Sequence, residues 1–432
     1  MKTGFGKIAV LVFCFVSLTA LIVTGCAAPA APTSAPAATS APAATNAPAA
    51  TSAPAGNAPD AIQIGAVVPI TGKYAAGGEQ IRNGYELAVA DINKDGGPMV
   101  KAYGKKIPLK LTILDDASDP NNTVQRMETL YNDNHILVYL GGYASDLNAA
   151  GAGIAEKNKT PYLGVAFALY SIHQKGYKYL FSPFPKSPDM VKALFSMIDT
   201  LNPKPTKYAI FAEKTDWGAE MEGMWKQAIQ QRGFQLVADE QYAPGSKDYT
   251  QMITKARDGG AEVVLALPNP PDGMAIIKQM KELGLNAKLD FFVRAADGLS
   301  WGTSLGKDGD YVTFIPGWHP AAKFPGVTQL DAEHLQKYGK SAEATTGPAY
   351  ALVQIVADAL GRAPTLTRDS LRDAIASTNM MTVEGPIKFN PDGTAQMVTM
   401  IDQWQNGKQE LVWPTDQQTK PLAYPAVPFN QR

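Results

Sequence analysis

The sequence predicts an α/β protein built as two doubly wound lobes with parallel-type sheets. Short apolar runs alternate with amphipathic helical stretches from residue 62 onward, the order that parallel strands with crossover helices require. The alternation restarts after Phe181-Ser182-Pro183, so two series follow one another. Hydrophobic residues make up 45% of the 432-residue chain, enough to bury a core around each sheet.

The first series opens with a buried strand at Ile62–Val68. A helix over Gly78–Asn93 follows, with Ile81, Tyr85, Leu87, Ala88 and Ile92 at helical spacing. Strand Leu109–Leu114, helix Thr123–Tyr131, strand Ile136–Leu140, helix Ala149–Lys157 and strand Tyr162–Val165 continue the pattern. The second series reads helix Met190–Asp199, strand Tyr208–Phe211, helix Glu220–Gln231, strand Gln235–Val237 and helix Tyr249–Arg257. Strand Val263–Leu267, helix Gly273–Leu283 and strand Leu289–Val293 complete it. Helices at Pro348–Gly361 and Arg368–Ser377 come next, then hairpin turns at Pro391-Asp392-Gly393 and Asn406-Gly407.

The N-terminal 60 residues stand outside this pattern. Lys2 and Lys7 precede an uncharged run of 16 residues, Ile8–Val23. That run is short of the ~20 apolar residues of a spanning helix and fits the core of a secretion signal. Val23-Thr24-Gly25-Cys26 follows directly and resembles a bacterial lipobox. The resemblance implies cleavage before Cys26 and a diacylglycerol on its sulfur. An ordinary signal peptide with an incidental cysteine and an uncleaved anchor are the alternatives. Cys14 and Cys26 are the only cysteines, so the mature chain holds no disulfide framework and no cysteine-based zinc site. Residues 27–59 are almost wholly Ala, Pro, Thr and Ser. With no large apolar side chain to offset ordering entropy, they read as an extended tether.

Composition excludes other classes. The net charge of -1 lacks the basic excess of a nucleic-acid binder. The four histidines show no HExxH spacing. There is no G-x-S-x-G elbow and no G-x-G-x-x-G after a strand, and Gly339-Lys340-Ser341 lacks the upstream P-loop glycine because position 334 is His. Asp115-Asp116 ends a strand, where solvated or capping roles account for both carboxylates. No enzyme and no cofactor are expected.

Four local patterns lie in order across the chain. They are Val68-Pro69-Ile70-Thr71-Gly72, then Gly84…Ala88…Ala90-Asp91-Ile92-Asn93…Gly96-Gly97, then Asp115-Asp116-Ala117-Ser118-Asp119-Pro120, then Glu384-Gly385-Pro386-Ile387-Lys388-Phe389-Asn390…Gly393. Together, over roughly residues 61–410, they resemble the leucine/isoleucine/valine-binding family of type I periplasmic substrate-binding proteins, the receptors of ABC importers. The resemblance implies two lobes joined by three crossover strands, near 183, 311–317 and 383–390, with ligand in the cleft between them. It divides the chain into a signal peptide (1–25), a tether (26–60), lobe 1 (61–184 and 316–383), lobe 2 (185–315 and 384–415) and a tail (416–432).

The same resemblance implies the site. Ser145 falls where the family places a hydroxyl for the ligand carboxylate, and it follows a strand and precedes a helix, where free N–H groups favour an anion. The Ala166 carbonyl matches the acceptor of the ligand ammonium. Ala168 stands where the family offers Thr or Ser. Trp217 matches an aromatic ring against the ligand, and Asp297 the acidic partner of the ammonium. Gly77 and Asn269 replace two aromatic cleft residues, for which Tyr74 or Tyr143 would substitute. The implied protein is an extracytoplasmic monomer held to the membrane through Cys26. It carries a branched-chain or related amino acid to an ABC permease. An amide, urea or aromatic acid as ligand, a sensory role for the same fold, and an extracellular enzyme are the alternatives.

Overall fold

The computed structural model describes residues 57–432; the signal peptide, Cys26 and all but the last residues of the tether lie outside them. In chain order the first part runs β1 (Ile62–Val68), α1 (Ala75–Asn93), a small ribbon of β2 (Met99–Val100) and β3 (Lys105–Lys106), β4 (Leu109–Asp115) and α2 (Pro120–Asn132). It continues with β5 (Tyr139–Leu140), α3 (Ser145–Lys157), β6 (Tyr162–Leu163) and β7 (Leu180–Phe181). These strands form a parallel sheet in the order β4-β1-β5-β6-β7.

The second part runs α4 (Ser187–Ile198), β8 (Lys207–Glu213), α5 (Asp216–Gln231), β9 (Gln235–Tyr242), α6 (Thr250–Asp258) and β10 (Val263–Ala266). Then come α7 (Pro270–Leu283), β11 (Leu289–Phe292), α8 (Ser300–Leu305) and β12 (Val312–Phe314). The chain next gives α9 (Val327–Tyr338), α10 (Thr346–Arg362), α11 (Arg368–Ala376), the hairpin β13 (Asn379–Thr382) and β14 (Gly385–Lys388), and finally β15 (Ile401–Gln405) and β16 (Lys408–Trp413). The second sheet has the order β16-β15-β12-β11-β10-β8-β9. It is parallel from β9 to β12 and antiparallel at β15 and β16.

In each sheet the first strand of the series lies inside, with the second strand on one side and the third on the other. That reversal leaves a crevice beyond the carboxyl ends of β1 and β5, and another beyond β8 and β10. The α/β class and the doubly wound order agree with the sequence reading. The regular ladder of β5 is shorter than the run Ile136–Leu140, although Leu137 N–H still bonds Gln63 O at 2.9 Å. Helices α8 and α9 carry no counterpart in the sequence reading.

Each sheet with its helices is a lobe, and the chain passes between them three times. The first passage is 182–186. The second follows β12, after which α10 packs its apolar face on α1 and the first sheet. The third lies later than the 383–390 expected. Ile387, Phe389 and Ala395 are buried with the first sheet's cluster, and Phe389 packs on Phe181 at 5.2 Å between centroids. Residues from 384 to 395 therefore sit with the first lobe, and the chain joins the second sheet at Ile401. The passages lie side by side. Ser182 bridges Thr394, and a Cβ at Gly317 would lie 2.4 Å from the Phe184 ring. One buried cluster crosses this seam, from Tyr139 and Tyr162 through Phe184, Met190 and Ile315 to Tyr208 and Phe291.

Candidate functional site

The loops beyond the strand ends supply the site. After β1, the chain is tied to β4 by Asp115, which accepts from Ile70 N at 2.9 Å, Ala117 N at 2.8 Å and the Thr71 hydroxyl at 2.7 Å. Burial works against that charge, but these hydrogen bonds outweigh it and hold the carboxyl below its usual range. Asp116 beside it makes only local bonds to Ser118 and Thr123, and burial pushes it up to about 6. The pair thus anchors loops, as the sequence suggested. Tyr74 then stands at the start of α1, buried, with its ring 5.8 Å from that of Tyr143.

The loop after β5 leads into α3 through Ala144, at φ 82. Ala166, beyond β6, has φ 47. Both are left-handed conformations that an L-residue adopts at a cost, and such strain collects at ligand sites. Asn148, fully buried on α3, holds both loops. Its amide donates to Gly142 O and Ala144 O at 2.8 Å and to Val165 O at 3.3 Å, while its oxygen accepts from Tyr162 at 2.7 Å. Ser145 Oγ accepts from Ala168 N and Leu169 N, each at 3.3 Å. The serine hydroxyl therefore binds the loop of its own lobe.

From the second lobe, Glu213 ends β8 with a fully buried side chain. Asn269 caps α7, accepting from Asp272 N at 3.0 Å and donating to Glu213 Oε1 at 3.0 Å. Arg294, just beyond β11, donates Nη2 to Glu213 Oε2 at 2.6 Å and Nε to Pro268 O at 3.3 Å. Its guanidinium lies 5.0 Å from the Trp217 ring and 5.4 Å from the Tyr74 ring, within cation–π range. Three residues on, Asp297 is buried and accepts the Tyr143 hydroxyl across the lobes. Burial pushes its carboxyl up to about 7, against the opposing effects of Tyr143 and Arg294. Burial likewise raises Tyr143 well above its ordinary value.

These side chains line two adjoining chambers. The inner one, a tight cavity of about 20 Å³, is walled mainly by apolar groups, among them Ala144, Ala166, Ala168, Phe184, Met190 and Ile315, with Tyr143, Asp297 and Thr345 as polar members. The outer one, about 240 Å³, is lined by Tyr74, Ser145, Asp146, Ala149, Leu169, Glu213, Thr215 and Asp216. Trp217 and Arg294 line both and form the partition.

The structure places the sequence-derived residues as follows. Ala166, Ala168, Trp217 and Asp297 meet in the inner chamber, and Ser145 faces the outer one with Trp217. Gly77 and Asn269 line neither. A Cβ at Gly77 would lie 2.2 Å from Cδ2 of Tyr143, so the missing side chain makes room for that ring. Asn269 acts through Glu213. Sequence reasoning missed Asn148, Arg294 and Asp146. For Arg294 a signal existed, an arginine set directly after the apolar run Leu289–Val293.

Two Rossmann-like lobes with a buried, polar-ended cleft at both switch points define a ligand-binding receptor. The family model for periplasmic binding proteins matches residues 61–409. The chain belongs to that family, whose members are substrate-binding proteins of the extracytoplasmic space. Leu/Ile/Val-binding protein homolog 3 of Brucella melitensis is 27% identical over 355 residues, covering 80% of this chain and 92% of the relative. The leucine-binding protein LivK of Thermotoga maritima superposes with a TM-score of 0.74 at 21% identity, covering 81% of this chain and 97% of that one. A solute-binding protein of an ABC transporter from R. palustris, in complex with benzoate, gives 0.72 at 18% identity over 85% and 98% of the two chains. At these identities the solved structures establish the type I periplasmic binding protein fold.

Proposed function

We propose that the protein is a lipid-anchored solute receptor that captures a branched-chain or related amino acid between its lobes and delivers it to the permease of an ABC importer. The observation that carries this reading is the partitioned cleft. A buried guanidinium, Arg294, and a buried carboxyl, Asp297, stand beside a small, largely apolar chamber. The Leu/Ile/Val-binding names of the sequence relatives support it, as does the fold shared with a LivJ protein of Streptococcus pneumoniae in complex with isoleucine. Among the described residues no helix is long and apolar enough to cross a membrane; the lipobox-like Val23-Thr24-Gly25-Cys26 supports attachment through Cys26.

A thermal-unfolding screen of L-leucine, L-isoleucine, L-valine, L-phenylalanine, benzoate, urea and small amides tests the ligand. A true ligand at 100 times its Kd adds about 2.7 kcal/mol to the folded state. No shift with any amino acid overturns the amino-acid reading. An aromatic acid is the second reading, favoured by the apolar inner wall and by the benzoate-bound neighbour. Replacing Cys26 by Ala should release the protein from membranes or leave it as unprocessed precursor. Normal-sized, membrane-bound Cys26→Ala protein refutes the anchor.

A further inference from the structure

We propose that Lys186 is a positioning residue for the ligand chamber: with the lobes in contact its ammonium holds the 166–169 loop, and when the lobes part it passes to Glu384, so that this switch of partners sets how readily the cleft opens. The inference rests on the receptor reading above and adds a pair of groups that governs closure. Lys186 ends the first passage, directly before α4, and is 2% exposed. Asp189 on α4 fixes its backbone, accepting Lys186 N at 3.0 Å. Nζ donates to Phe167 O and, at 2.7 Å, to Ser182 Oγ, and lies 4.5 Å from the centroid of the Phe167 ring. An ammonium carries three hydrogens, and the third has no oxygen acceptor among the described residues. Ser187, next in the chain, gives its N–H to Ala168 O at 2.9 Å. Two successive carbonyls of the loop that brings Ala166 and Ala168 to the inner chamber are thus tied to the root of the second lobe.

Glu384, between β13 and β14, is the group without a partner. It is 5% exposed, and neither of its carboxyl oxygens has a hydrogen bond. Burial pushes its carboxyl well above the ordinary value, with Lys186 opposing, and pushes the Lys186 ammonium down to about 7. Each group is costly to charge where it stands, and each is the charge the other lacks. The other carboxylates around the ammonium are taken: Asp189 by Lys186 N–H, Glu220 by Tyr170, Ser171 and Ser187, and Asp392 by Thr394 N and Oγ1. His173, bonded through Nδ1 to Asp392 O at 2.9 Å, is held neutral, since burial pushes it down to about 3. A buried carboxyl with no donor is kept at a cost unless another arrangement of the chain uses it. Phe167 and Glu384 both sit with the first lobe, whereas Asp189 fixes Lys186 to the second. Rotation about the passages therefore draws the ammonium off one first-lobe partner, and Glu384 is the unpaired carboxyl left to receive it.

The test uses the full chain. Without ligand, hydrogen exchange at the Tyr170 and Ser171 amides reports opening, because Glu220 accepts them only with the lobes together. Glu384→Gln keeps the shape of the carboxyl and removes the open state's partner. It should slow exchange at both amides, and tighten L-leucine binding measured by calorimetry, each by about fivefold. Loss of a merely structural carboxyl would loosen the protein instead. Glu384→Asp, which keeps the charge, should stay nearer wild type. In a Lys186→Met background the Glu384→Gln change should move either readout by less than about twofold, because the partner is gone. Lys186→Met is first checked for a cooperative unfolding transition; if it does not fold, Glu384→Gln alone decides. A Glu384→Gln protein that exchanges or binds L-leucine like wild type, or a gain that persists in Lys186→Met, overturns the partner switch and leaves the receptor reading standing. If L-leucine does not bind wild type, the exchange measurement, which needs no ligand, still decides the switch, and only the choice of ligand falls.

Discussion

Glu220 on α5 is the clearest latch between the lobes, and removing it should loosen ligand binding without touching the ligand chambers. Its Oε1 accepts from Tyr170 N and its Oε2 from Ser171 N, both at 2.8 Å. Tyr170 and Ser171 lie between β6 and β7 of the first sheet, whereas Glu220 rides on the second. Ser187, at the start of α4, adds its hydroxyl to Oε1 and also takes the Trp217 indole N–H at 3.1 Å. Hydrogen bonds to a charged acceptor contribute about 1.5–3 kcal/mol each when buried. Ser171 is exposed and Glu220 only half-buried, so water competes and the total for Glu220→Ala is nearer ~1–2 kcal/mol. The Tyr170 and Ser171 bonds exist only with the lobes together, whereas the Ser187 bond lies within the second lobe. If binding requires closure, the loss falls on the closed state and raises Kd by about 5- to 30-fold. Stopped-flow binding should show the change in the dissociation rate, since ligand enters an already open cleft. Glu220→Gln, which keeps an acceptor oxygen, should fall between the two. A Glu220→Ala protein with Kd within twofold of wild type refutes the latch, as does an effect confined to the association rate.

Other perturbations probe the remaining parts. Burial raises the Asp297 carboxyl from 3.8 to about 7, so the folded state favours its protonated form; its contribution is full below about pH 4 and lost as pH rises through about 7. Asp297→Asn should flatten that part of the stability–pH curve of the ligand-free protein, by up to about 4 kcal/mol at pH 8, and an unchanged curve from pH 4 to 8 would show Asp297 ionised throughout. Gly77→Ala drives a methyl into the Tyr143 ring and should cost about 1–3 kcal/mol of stability, read from denaturant midpoints; full stability would mean the ring has room to move. A protein beginning at Asp60 should bind with unchanged Kd, because no large apolar side chain occurs in residues 27–59, and a tenfold loss, ~1.4 kcal/mol, would show that the tether packs on the folded part.

The parts of the fold that were legible in the sequence are those with local, repetitive signals. Val263–Ala266 is buried throughout and Ile62–Val68 at every position but Gln63, and both read as near-continuous apolar runs. Helix α1 shows its 3.6-residue stripe, with Ile81, Tyr85 and Ala88 buried in one cluster. Residues directly beyond strand ends could be nominated for the site, because a doubly wound sheet puts its crevice there. Long-range pairing was not legible. Asn148 gains its meaning from Val165, Arg294 from Glu213 and Glu220 from Ser171, partners 17, 81 and 49 residues away. The third passage was misplaced for a related reason. The Glu384–Asn390 pattern marks a hairpin strand, but only the packing of Ile387 and Phe389 shows which sheet it serves.

The way the polar groups are braced bears on how such a cleft can be both strained and selective. Asp272 and Asn269 fix Glu213, and Glu213 fixes Arg294 between two aromatic faces. On the opposite wall Asn148 fixes the left-handed loops at Ala144 and Ala166. Each wall is thus held within its own lobe, by bonds that do not need the other lobe or a ligand. Recognition groups set in advance lose little freedom on binding, so motion is left to the passages between lobes. There the contacts divide by polarity. Phe184, Met190 and Ile315 make an apolar seam at the hinge side, whereas Glu220 closes with hydrogen bonds at residues partly in water. Opening the lobes exchanges the latch bonds for bonds to water at small net cost, while the apolar seam keeps the hinge in register. A wide-open latch and an intact seam are compatible, which is what a receptor that must both capture and release its ligand requires.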